Sequence, residues 1–290
     1  MAHANDAYYV PHGTTWPIIG SIGLTTLVVS AANFINGTGS FWLSAMLGGL
    51  AIVVYMMFGW FRTVIQESEG GELYNDQVDV SFRMGMIWFI ISEVMFFAAF
   101  FGALFYARQF AIPWLGGEGS GLATQQFLWP AFENAWPSNG PAELGGVFRT
   151  IPAFDLPLYN TLILLTSGVT VTMAHHAIKH NQRKPLIWWL AATVALGFFF
   201  VYLQATEYIH AYHDYNLKMT TGIYGSTFFM LTGFHGFHVT VGAIMLTVIL
   251  FRCMKGHFNA DSHFGFEGVA WYWHFVDVVW LGLFVFVYIV

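Results

Sequence analysis

The chain has 290 residues, of which 57 % are hydrophobic and only 9 % are Asp, Glu, Lys or Arg. A soluble domain carries about 25 % charged residues, so this chain could not cover a water-facing surface, and its 30 Phe, 13 Tyr and 12 Trp point to lipid as its solvent. The single cysteine, Cys253, excludes internal disulfides, thiolate zinc sites and iron–sulfur clusters, and the net charge of −6 is unsuited to nucleic acid.

A spanning helix needs about 20 mostly apolar residues. In chain order such runs cover residues 18–34, 41–61 and 84–106, then 158–178, 186–206, 222–251 and 268–290. Only two of the seven contain an Asp, Glu, Lys or Arg: Glu93 in the third and Asp277 in the seventh. A barrel would show runs of about 10 residues with alternating polarity, which these are not. The expected fold is an all-α integral membrane protein, a single membrane domain over 1–290 with seven transmembrane helices. Residues 1–17 lack Lys and Arg and a cleavage pattern, so the first helix is expected to stay.

Between the third and fourth runs lies a long connection, 109–157, with six of the nine prolines and a Gly-rich stretch at 116–121. Its aromatic residues, Trp114, Phe127, Trp129, Phe132 and Trp136, argue against a free linker, because disorder is poor in aromatics. A connection this long is expected to be functional or docked on a partner.

Basic residues set the topology. The N-terminal side holds Arg62, Arg83, Lys179, Arg183, Lys184, Arg252 and Lys255, and the other side Arg108, Arg149 and Lys218. The positive-inside rule places the N-terminus in the cytoplasm or matrix, the C-terminus outside and the 109–157 loop on the outer side.

Histidines in a membrane bundle raise haem first, which needs axial imidazoles on facing helices. His175, His176, His235, His238 and His274 are the candidates, and without a second midplane pair at matching depth the stronger reading is hydrogen bonding between helices. Glu207 and His210 have the Glu-x-x-His spacing of a di-iron site, but such a site needs two copies and two further Glu. Both are expected at a wet interface, with His213 and Asp214 in the loop beyond. No metal ligand set is expected.

Glu93 is the most informative residue. A charge at mid-membrane costs at least about 2.5–3.5 kcal/mol on insertion scales, so this carboxyl should face the bundle or lie protonated. Its apolar sequence neighbours offer no ionic partner. It is either a proton relay or a neutral acid bonded to a neighbouring helix. His274 and Asp277, three apart, can satisfy each other on one helical face, and His235 and His238 share another. Arg62, Arg83, Arg252 and Lys255, with Trp60 as an interfacial ring, are expected to hold lipid phosphates or simply to anchor the topology. Glu67, Glu69, Glu72, Asp76 and Asp79 lie between the second and third helices, on the N-terminal side, where their negative potential would concentrate protons.

Several blocks carry a family resemblance: 89–97 (FIISEVMFF), Ala174-His-His176, 203–208 (LQATEY) and 222–229 (GIYGSTFF). So do 233–238 (GFHGFH), 263–267 (HFGFE) and 271–280 (WYWHFVDVVW). They resemble subunit III of haem-copper cytochrome c oxidases of the aa3 type, with a long connection closer to alphaproteobacterial members. Mitochondrial members often carry a basic residue where this chain has Gln66. The resemblance implies a two-helix and a five-helix group separated by a lipid-filled cleft. It implies no haem or copper in this chain; haem a, haem a3 and the copper centres would sit in subunits I and II. It further implies subunit I as the main contact, then subunit II, with a small subunit IV as a further partner and cytochrome c acting on the complex. Glu93 matches the family's intramembrane carboxyl. The implied function is a non-redox subunit that binds phospholipid and supports proton uptake and turnover stability in a bacterial inner membrane. A quinol-oxidase subunit III is the alternative, although those chains usually have five helices. From another class, a proton-coupled carrier would show inverted repeats or broken helices.

Overall fold

The computed structural model describes residues 13–37, 39–70 and 74–289. Among these residues seven helices are long and apolar enough to cross a membrane. They are α1 (Trp16–Ile35), α2 (Ser40–Gly70), α3 (Asp76–Leu115), α4 (Leu156–Lys179), α5 (Arg183–His213), α6 (Gly222–Lys255) and α7 (Phe264–Ile289). Several run well past their apolar stretches. The added turns of α2, residues 62–70, are mostly polar. At the start of α3, Asn75 Oδ1 accepts the Val78 N–H at 3.1 Å, and Asp76 and Asp79 suit the positive end of the helix dipole. At the end of α6, Gly256 takes the left-handed conformation at φ 88°, and Arg183 donates to the carbonyls of Cys253 and Met254. Two helices change pitch to π turns, α3 at Ala107–Ala111 and α7 at Phe284–Ile289.

The chain divides into two compact units, residues 1–84 and 85–290. In the first, α1 packs on α2 through close backbone approach. A side chain at Gly49 would meet the Leu27 backbone nitrogen at 2.5 Å, so only glycine fits there. The Trp16 indole lies over Gly59, and its Nε1–H donates to Thr63 Oγ1 at 3.2 Å.

The second unit holds α4 to α7 and α3 from residue 85. Here polar bonds join helix to helix through the core. Trp273 and Trp280, both fully buried on α7, donate to Ser167 and Thr161 on α4, each at 2.9 Å. Thr170 on α4 bonds Thr193 on α5 at 2.8 Å, and Tyr208 on α5 bonds Thr232 on α6 at 2.7 Å. The long connection is docked on its own unit. Asn216 donates to the carbonyls of Gly145 and Val147 at 3.0 Å each, Arg149 N–H donates to Tyr215 O at 2.9 Å, and Phe148 stacks on Tyr224.

Candidate functional site

Glu93 sits near the middle of α3, and its partner comes from α6. His238 Nε2 lies 2.8 Å from Glu93 Oε2, with side-chain exposures of 9 % and 19 %. The acid therefore does have a partner, one that its sequence neighbours did not reveal. His238 Nδ1 stands 2.6 Å from the Phe234 carbonyl, which can only accept, so Nδ1 carries a proton. Nε2 is then the ring atom left to bond the Glu93 carboxyl across the helix–helix contact. Phe97 meets the imidazole edge-on at 5.0 Å between centroids, Phe96 and Phe237 flank it, and Tyr272 stacks at 6.4 Å. The bond is thus flanked by aromatic rings from α3, α6 and α7.

His235, one turn before His238, turns away from this pair. It is fully buried and donates from Nε2 to the Val276 carbonyl on α7 at 3.2 Å, between Phe200 and Trp280. His274 Nδ1 and Asp277 Oδ2 are 3.6 Å apart, and His274 Nε2 meets Thr172 at 3.3 Å. Asp277 Oδ2 nests against Gly168, where a side chain would collide with it.

The basic and acidic candidates divide between the two units. Trp60 and Arg62 are exposed on α2, and Arg83 pairs with Asp79 at 2.6 Å. Arg252 covers the Phe258 ring at 4.3 Å, and Lys255 is exposed in the last turn of α6. Glu67 accepts from the Tyr74 hydroxyl at 2.7 Å, while Glu69 and Asp76 are exposed. Glu72 lies outside the described residues.

Two features depart from the sequence reading. Glu207, expected at a wet interface, is only 1 % exposed, and its Oε1 accepts from the Tyr288 hydroxyl at 2.6 Å. Tyr288 comes from the π turn of α7 and covers the carboxyl near the end of α5. His210 does face outward and pairs with Asp214 at 2.6 Å. The second feature is a grouping of His175, His263 and Glu267, which sequence reasoning missed. The His-x-x-x-Glu spacing at 263–267 was its only local signal.

These features define a multi-pass helical membrane protein with a carboxyl–imidazole bond deep in its second unit. The model of the family cytochrome c oxidase subunit III matches residues 6–290, and the chain belongs to that family. It is therefore a subunit of an oxygen-reducing, haem-copper enzyme complex of the respiratory chain, in a family that carries no cofactor of its own. Similar proteins include cytochrome c oxidase subunit 3 of Oncorhynchus masou, 40 % identical over 99 % of this chain and 98 % of the relative. Those of Gadus morhua and Coturnix japonica are each 38 % identical over the same shares.

Proposed function

We propose that the chain is a non-redox subunit of a proton-pumping cytochrome c oxidase, and that it sustains proton uptake by the catalytic subunit. The supporting observation is the group of carboxylates around the start of α3: Glu67, Glu69, Asp76 and Asp79, with Glu72 between them in sequence. Their negative potential raises the local proton concentration at that end. The broad exposed apolar faces of the helices, Trp88, Ile91 and Met95 on α3 among them, suit burial against lipid or a partner flank. Subunit I is the main partner in this reading, and subunits I and II carry haem a, haem a3 and the copper centres. A small subunit IV adds a contact, and cytochrome c supplies electrons.

The membrane in this reading is a bacterial inner membrane, although the relatives above are mitochondrial. The excess of basic residues at one end supports an N-terminus in the cytoplasm and a C-terminus in the periplasm. Trp60, Arg62 and Arg83 in the first unit, and Arg252 and Lys255 in the second, hold lipid phosphates at the cytoplasmic leaflet. Replacing Arg62 and Arg252 by Ala should lower the tightly bound phospholipid that survives delipidation. An unchanged lipid count would reduce these residues to topology anchors.

The decisive experiment compares the oxidase with and without this chain over many turnovers at low and high pH. The first turnovers should survive its loss. Activity should then decay with use, fastest at alkaline pH, where protons are scarce. Identical decay and an identical pH profile would sink the proposal.

A further inference from the structure

The grouping of His175, His263 and Glu267 has no part in the function argued above. His175 stands in the last turns of α4, His263 is the cap residue of α7, and Glu267 lies one turn further along α7. One ligand atom from each lies within 4.8 Å of the other two, and His175 Nε2 is 3.7 Å from Glu267 Oε1. The imidazole rings meet edge to face with centroids 5.5 Å apart. Phe266, 1 % exposed, lies 5.6 Å from His175. His175 Nε2 and both ring nitrogens of His263 are buried without a hydrogen-bond partner among the described residues. A buried polar atom left unpaired is destabilising, so three in one place call for a shared partner.

We propose that His175, His263 and Glu267 form a binding site for a divalent transition-metal ion of the Zn2+ class. Two imidazole nitrogens and one carboxylate oxygen make the donor set that suits borderline-soft ions, whereas Mg2+ and Ca2+ need more oxygen ligands. Bonds of about 2.0–2.2 Å put tetrahedral ligand atoms about 3.3 Å from one another. The His175–Glu267 separation is already close to that, and modest side-chain rotation closes the rest. With three protein ligands the fourth position goes to water, so the ion exchanges. It is an effector of the assembly and not a redox cofactor. When bound it ties the end of α4 to the first turn of α7. That turn is already set by the His263 carbonyl, which accepts from Phe266 and Glu267 N–H at 3.0 and 3.1 Å. Exposed Lys179, one turn beyond His175 on α4, repels the ion and moderates its affinity.

The test uses the assembled oxidase, stripped with chelator, titrated with Zn2+ alone, desalted and counted by plasma mass spectrometry. Wild type should hold one more ion per complex than His263→Ala or Glu267→Gln, with affinity at that site at least about tenfold weaker in the variants. Lys179→Gln leaves every ligand in place and should tighten binding about threefold. The X-ray absorption difference between wild type and Glu267→Gln should show imidazole scattering. Should His263→Ala fail to assemble, Glu267→Gln and Lys179→Gln decide the matter. Equal zinc counts and equal affinities in wild type and these two variants would overturn the site.

Discussion

The two units hold their helices together by different means. Few of the apolar residues of α1 and α2 are buried inside the protein, against about half of those in α4 and α7. The buried residues of the first pair are Gly20, Gly23 and Ser30 on α1 and Gly49 on α2. Small residues let the backbones touch, so dispersion carries the contact. The second unit buries Trp273, Trp280, Ser167, Thr161, Thr170 and Thr193, and links them in pairs. Lipid supplies no hydrophobic drive between helices, so either close packing or interhelical bonding must do the work. Each unit relies mainly on one of them.

The sharpest way to break this contrast lies at Gly49. Gly49→Leu forces a side chain into the Leu27 backbone and should destabilise the α1–α2 pair by about 3 kcal/mol. Gly48→Leu, where nothing lies within 4 Å of an added Cβ, should be nearly neutral. Thermal unfolding of the full chain in detergent reads both. If the two variants melt alike, close approach is not what holds the pair.

In the second unit the matching variants are Ser167→Ala and Thr161→Val. Each leaves a buried indole N–H without an acceptor and should cost about 1–2 kcal/mol in the same assay. A cost near zero would mean that packing of the Trp rings suffices and the bonds are incidental. A smaller effect is expected at Glu93. Glu93→Leu strands His238 Nε2, whereas Glu93→Gln keeps a donor for it. A double-mutant cycle of Glu93→Leu with His238→Phe should give a coupling of about 1 kcal/mol, and Glu93→Gln should fall well below Glu93→Leu in cost. Absence of coupling would reduce the pair to an accident of proximity.

The sequence made the seven spans legible because hydrocarbon tolerates so few charges that the runs stand out. Glu93 was legible for the same reason, as one charge in an otherwise apolar run. Its partner was not, since His238 lies 145 positions away and only the packing of α3 on α6 joins them. Glu207 misled because an acid at the end of an apolar run reads as wet, and nothing local announces that Tyr288 covers it. The grouping of His175, His263 and Glu267 escaped notice because its members sit on two helices. Identity came from the long motif blocks, whereas composition alone reached only a seven-helix membrane protein.

The finest test of the contrast is Thr63→Val. Trp16 Nε1 reaches Thr63 Oγ1 at 3.2 Å, so the first unit has a bond of the same chemical kind as the indole–hydroxyl bonds of the second. The setting differs. Trp16 and Thr63 are only partly buried, at the first turn of α1, where the indole N–H can turn to a partner outside the protein. Trp273 and Trp280 have no such outlet. The loss on Thr63→Val should therefore stay within about 0.5 kcal/mol, several-fold less than Ser167→Ala, although both remove one hydroxyl acceptor from one indole. The replacement also keeps the β-branched shape that packs beside Gly59. Trp16 fluorescence should shift slightly as its N–H changes partner, with no fall in melting temperature. A loss as large as that of Ser167→Ala would show that the first unit also depends on buried polar bonding, and the contrast between the units would collapse to one of surface exposure alone.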